Sequence, residues 1–275
     1  MRSRFTFALA LAAGCLPMLP AVPAGAAEGI TLITQAKALA GKVTSDDQPG
    51  FPVTLSAPGS YKLAGNLQVP AGRNGIVVAA DNITIDLNGF QLAGGLAAAN
   101  GVVEASANRS GVTVRNGTIF GFTKNGIRGT GSNLTVENMR IVNVGANGIA
   151  AGHFLQVRDS NLWRSGLNGV IAVNQASVMN STIVGSGASG VVCENHCLVS
   201  GSMISQNGQS GAGVGISASL GTILGNTITG NRGLGISGSA TGYGNNTLAT
   251  NNSGGGAQVS EGLVPLQPNA CIPAC

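Results

Sequence analysis

A glycine followed by Ile or Val returns at Gly75, Gly101, Gly126, Gly148, Gly169, Gly190, Gly215 and Gly235, at intervals of 20 to 26 residues. After each step come two short runs of alternating apolar and polar residues, parted by a turn. "NITIDLNGFQLAGG" (82–95), "GVTVRNGTIFG", "NLTVENMRIVN", "FLQVRDSNLWR" and "QASVMNSTIVG" are versions of one phrase. No 3.6-residue pattern lies between the runs, which excludes βαβ units. Strands this short bury one face only, and stacking successive turns of chain joins those faces into a continuous core. The expected fold is all-β: a single-stranded parallel β-helix of about eight coils, right-handed by the crossover preference. At ~4.8 Å per coil the rod would be ~40 Å long.

Two polar columns fall into register once the coils are aligned. Asn116, Asn138, Asp159, Asn180, Gly201, Gly225 and Asn245 occupy the turn between the paired runs; Asn74, Asn100, Asn125, Asn147, Asn168 and Ser189 precede the glycine steps. Asn and Gly tolerate left-handed backbone, and an inward Asn satisfies backbone groups of adjoining coils, so both columns read as structural ladders. Open ends would expose unpaired strand edges. "LITQAKALAGKV" (32–43) has the apolar spacing of a short helix able to cap the first coil, and the Pro-rich "GLVPLQPNACIPAC" could close the last. The expected division is a leader (1–27), an N-terminal cap with lead-in strands (28–69), the β-helix (70–256) and a C-terminal cap (257–275).

Glycine supplies 44 of 275 residues and only 9% are charged, yet 43% are hydrophobic, enough to build a core. Arg2 and Arg4 precede an apolar run from Phe5, and "PAGAAEG" follows: a secretory signal peptide cleaved after Ala26 or Ala27. Cys15 behind "LAAG" would suit lipid attachment, but the apolar run continues past it through "LPMLPAV". Beyond the leader no stretch approaches the ~20 apolar residues of a membrane helix, so an exported protein, periplasmic or secreted, is expected. The leader takes two of 14 Lys+Arg, leaving 12 against 10 acids, and a net +2 argues against a nucleic-acid partner. Four cysteines remain. An even number in an exported chain, spaced Cys-x-x-x-Cys twice, predicts Cys193–Cys197 and Cys271–Cys275 disulfides.

With the repeat on the page, "FPVTLSAPGSYKLAGNLQVPAGRNGIVVAADNITIDLNGF" (51–90) resembles the N-terminal portion of exported bacterial β-helix repeat proteins, and the chain resembles the pectin-lyase-like superfamily. That resemblance implies the fold. Its members include polysaccharide lyases, hydrolases and epimerases, phage tailspikes, adhesins and periplasmic proteins linked to metal delivery, so it implies no single activity. The polygalacturonase-like pattern needs clustered aspartates with Gly-His-Gly and Arg-Ile-Lys. This chain has "AGHF" at His153, no Arg-Ile-Lys, and adjacent aspartates only at Asp46 and Asp47, ahead of the repeat. The acidic calcium cluster of the pectate-lyase pattern is missing too. No catalytic residue and no cofactor is assigned.

One outward column alternates in sign: Asp86, Arg115, Glu137, Arg158. It reads as a cross-coil salt-bridge ladder or as the border of a groove. Past the turn follow Thr118/Arg140/Asn161/Thr182 and Phe120/Val142/Trp163/Val184. Trp163, the only tryptophan, would stand beside Arg140, Asn161 and Arg164 unless a loop buries it. Residues 104–164 hold seven basic and three acidic side chains, whereas 165–260 carry only Glu194 and Arg232. An aromatic platform flanked by guanidinium groups suits an acidic sugar. Trp163, Arg140, Arg164, Asn161, Phe120 and Arg158 are therefore the candidate ligand-binding residues, and a polysaccharide the candidate partner. Two rival readings stand: a structural or adhesive module, from the uncharged second half, and metal handling through Cys193, Glu194, His196 and Cys197.

Overall fold

The computed structural model describes residues 29–272 and 275. The leader, with its cleavage site and Cys15, lies outside the described residues. All strands join one parallel ladder of about ten turns, two more than the glycine steps indicate. It opens with Thr31–Ile33 paired to Tyr61–Leu63 and closes with Ala270–Ile272 paired to Thr247–Ala249, so strands extend the stack on both sides of the repeat. The extra turns lack the Gly-Ile or Gly-Val step that marks the others.

Three sheets run the length of the rod. Sheet 1 follows the glycine step and includes Ile76–Val78, Val102–Glu104 and Ile127–Arg128. Sheet 2 includes Gly59–Leu63 and Ile83–Asp86; sheet 3 includes Thr182–Val184, Met203–Ser205 and Thr227–Thr229. Ser132–Val144 serves sheets 2 and 3 by bending at Asn138. Alternation then sends Leu134, Val136 and Ile141 inward, each almost fully buried.

The glycine step has a packing cause. A Cβ on Gly101 would lie 2.5 Å from the Gly126 carbonyl oxygen, and the same oxygen accepts the Val102 N–H at 3.0 Å. Gly75, Gly126, Gly148, Gly169, Gly190 and Gly215 meet the next coil's glycine in the same way. Only hydrogen fits in this column.

From Asn82 to Thr250 each coil turns three corners through left-handed residues. Between sheets 2 and 3 they are Asn116 (φ 58°), Asn138 (55°), Asp159 (51°), Asn180 (49°), Gly201 (59°), Gly225 (65°) and Asn245 (56°), the column aligned from sequence. Its expected burial is corrected. Asn138 is exposed, and its amide reaches only the Asn116 Oδ1 at 3.4 Å. A left-handed residue on a convex corner points its side chain outward, and the following residue turns in: Met139, Ser160, Ser181, Ser202, Asn226 and Asn246 are buried. The other column does bind adjoining coils. The side-chain oxygens of Asn74, Asn100, Asn125, Asn147 and Asn168 each accept the backbone N–H one coil further on, at 3.0–3.2 Å.

Of the expected helix over 32–43, Gln35–Ala40 is helical, N-capped by Thr34. Leu32 and its neighbours instead extend sheet 2, and Gly41 (φ 75°) ends the helix. No helix among the described residues is long and apolar enough to cross a membrane.

Candidate functional site

The strand Asn161–Ser165 lies in sheet 3 with Arg140 opposite Asn161 and Val142 opposite Trp163. Arg140 and Asn161 therefore sit one coil apart, ~4.8 Å, and Trp163 stands two residues along on the same face, ~6.6 Å. Trp163 is 41% exposed, so no loop buries it. Val142, although outward, is buried between its aromatic neighbours Phe120 and Trp163. Beyond Trp163 the chain turns its corner at Arg164 (φ 57°), whose guanidinium carbon lies 4.4 Å from the indole centroid. That stacking holds the ring by a cation–π contact.

Two shallow depressions meet at Arg140 and Asn161. One, of about 440 Å³, continues over Val142, Trp163, Thr182 and Val184. The other, of about 370 Å³, continues to Asn116, Asn138 and Asp159 at the corner. Arg140 has no ion-pair partner among the described residues, whereas Arg109, Arg115 and Arg158 each have one. A guanidinium left free beside an exposed indole is an anion-accepting arrangement.

Three of the six residues singled out from sequence thus share this face, Arg140, Asn161 and Trp163, and Arg164 borders it from the corner. Arg158 does not. It belongs to sheet 2, where its Nε donates to Glu137 Oε2 at 2.8 Å, continuing the ladder in which Arg115 reaches Asp86 at 3.4 Å and Glu137 at 3.8 Å. Phe120 lies on the right sheet but two coils from Trp163 and lines neither depression. Sequence reasoning missed Asn116, Asn138 and Asp159 as lining residues. Their left-handed backbone was legible in the Asn/Asp column; the outward direction of their side chains comes from the convexity of the corner.

The "CENHC" segment separates by face. Cys193 and Cys197 are buried; Glu194 and His196 point outward, as alternation and the His196 corner (φ 54°) require. These four side chains do not converge, and no trio of His, Cys, Asp or Glu among the described residues could hold a metal ion. Nor are the two sulfurs bonded. They are neighbouring thiols, and the hydrogen bond between them, with burial, pushes the Cys197 thiol well above its ordinary value. Cys271 and Cys275 are joined as a disulfide. His153 accepts the Asn174 amide on Nδ1 at 3.2 Å, while Asn174 Oδ1 accepts from Asn195 at 3.0 Å. That outward row of polar groups makes the ring a surface member of a ladder.

No protein-family model and no curated protein matches the sequence. Among solved structures it is similar to the enzymatically active domain of tailspike protein 2 of bacteriophage CBA120: 13% identity, TM-score 0.58, over 80% of this chain and 40% of that one. The chain has the right-handed parallel β-helix fold. This β-helix spans two-fifths of the tailspike domain's length. It is also similar to the full-length tailspike protein 2 of an Escherichia coli O157:H7 bacteriophage, at 13% identity and a TM-score of 0.57, over 80% and 37% of the two chains. The periplasmic alginate epimerase AlgG aligns at 10% identity and a TM-score of 0.45, over 79% and 78%.

Proposed function

We propose that this β-helix is an exported polysaccharide-binding protein that holds an acidic glycan on sheet 3. The observation that carries the reading is Arg140, free of any carboxylate partner among the described residues and sharing one depression with the exposed Trp163. Stacking of a sugar ring on the indole and a bidentate guanidinium contact to its acid group need these two groups at this separation. The signal-like leader supports export, since acidic glycans lie outside the cytoplasm. Hydrolysis calls for a pair of carboxyl groups about the scissile bond, and Asp159 is the one acid lining either depression. The face suits holding rather than cutting. Purified protein titrated with acidic and neutral glycans should bind the acidic ones in the micromolar-to-millimolar range, roughly 4–8 kcal/mol. Trp163→Ala and Arg140→Ala should each weaken that binding with the fold retained by circular dichroism. Equal binding by parent and variants would return sheet 3 to ordinary surface, leaving a structural or adhesive rod.

A further inference from the structure

Past the Trp163 corner lies a third depression, of about 540 Å³, that the binding face does not include. Its floor is backbone. Gly145, Gly166 and Gly187 stack in register, and a Cβ on Gly166 or Gly187 would collide with the carbonyl of the glycine one coil earlier. Its rims are made by coil length. The coils between Gly126 and Gly190 take 22, 21 and 21 residues, the shortest consecutive run in this part of the rod. Two longer coils precede them, and the earlier one, Gly75 to Gly101, carries its extra residues at the register break between Ala93 and Ala98, raising Leu96 on one side. The longer coil after them spends its extra residues at 208–213, raising Gln209 and Ser210 on the other.

Trp163 and Arg164 form the wall between this hollow and the Arg140 depression. Trp163 lines the Arg140 side and Arg164 the glycine-floored side, with the guanidinium laid on the indole between them. Three residues along the strand direction separate the positions of Arg140 and Arg164, ~10 Å, about the span of two sugar rings. Arg164, like Arg140, has no ion-pair partner among the described residues. Asn143 and Gln209 add hydrogen-bonding groups beside it.

We infer that the glycine-floored hollow is a second acidic-sugar subsite, and that a bound glycan crosses the rod along the strands, over the Trp163 wall, with one acid group on Arg140 and another on Arg164. This rests on the binding reading above and adds its direction and minimum length. A chain lying along the rod axis would instead meet coils 165 onward, where Arg232 is the only basic residue before position 260.

The test uses the full exported chain and a length series of hexuronic-acid oligomers, followed by the fluorescence of the single tryptophan. Affinity should rise in two steps with length, and the second step, about tenfold, should be absent in Arg164→Ala and in Gln209→Ala, which leaves the indole untouched. Short oligomers should bind Gln209→Ala as they bind the parent, whereas Arg140→Ala should weaken every length. A single step in the parent, or equal losses for short and long oligomers in the Gln209 variant, would overturn the crossing path while leaving the first site intact. No binding of any acidic oligomer by the parent would remove both readings together.

Discussion

The coils before Trp163 and the coils after it solve the same packing problem with opposite chemistry. At the interior position beside the last corner, the early coils place Phe122 and Val144; the later ones place Ser165, Ser186, Asn207, Asn231 and Asn251. The position after the Asn-type corner changes in the same coil, from Met139 to Ser160, Ser181, Ser202, Asn226 and Asn246. Outside, the pattern reverses: charged side chains crowd the early coils and nearly vanish later. The corner N–H of Met139 meets the Ser160 hydroxyl at 3.2 Å, and coil length varies in both halves, from 22 to 26 residues before Gly148 and from 20 to 25 after it. Amide corners tie each coil to the next: Asn207 N–H donates to Asn231 Oδ1 at 3.0 Å, and Asn231 N–H to Asn251 Oδ1 at 3.0 Å. The cross-coil amide ties belong to the later half; Arg140 and the charged column belong to the earlier one.

The strongest way to break this comparison is Asn231→Ala. Its amide accepts from Asn207 and donates to the Ile204 carbonyl at 3.1 Å and to Asn251 at 2.8 Å, all buried. Leaving those groups without partners should cost about 3 kcal/mol, read as a fall in the urea midpoint. A loss below about 1 kcal/mol would mean that the ladder is dispensable. Next comes the thiol pair, which occupies the interior positions that Ala172 and Ala176 fill one coil earlier. In an oxidising compartment the two buried sulfurs should close, so thiol counting on denatured, unreduced protein should find none free, and reduction should cost about 2 kcal/mol. Two free thiols would show that the reduced pair persists. Asn138→Ala should then cost about 1 kcal/mol, because alanine resists the left-handed corner, and Asn138→Gly should cost almost nothing. A large loss in both would mean that the side chain, not the backbone, matters there. The smallest effect belongs to the charges outside: Glu137→Gln should change stability by about 0.5 kcal/mol and less in high salt, since Arg158 is 46% exposed.

Glu104 departs from the early half's apolar interior. Its carboxylate accepts the Thr130 and Gly131 N–H groups, yet Oε1 has no partner, and burial pushes the group above the usual glutamate range. The neutral form is therefore favoured by folding. Its contribution is fullest below the ordinary glutamate pKa and declines as pH rises toward the elevated folded value. Unfolding followed across that window should show the decline, and Glu104→Gln should flatten it.

Much of this was legible in the chain itself. Period, alternation and the glycine step suffice for the solenoid because each is a local demand repeated many times: a carbonyl facing Gly101 faces Gly126 again. The corner residues Asn116 to Asn245 could be aligned for the same reason. Which way their side chains point could not, because that depends on the curvature of the corner rather than on residue type. The site was partly legible. Trp163 and Arg140 follow from counting along sheet 3, whereas Arg158, which precedes the Asp159 turn, lies on another sheet. Asp159 itself looked like ladder until neighbouring coils were set side by side.

The column of glycines against carbonyls has a consequence for how such a gene can change. A side chain anywhere in that column forces two coils apart, so drift there is closed, and a deletion of a few residues across it would break every contact above and below. Removal of one whole coil, 148–168 for example, would bring Gly169 against Gly126 and restore the same seat. Inheritance in this protein should therefore proceed by whole turns gained or lost, with small insertions collecting at the corners, where they raise or lower the walls of hollows.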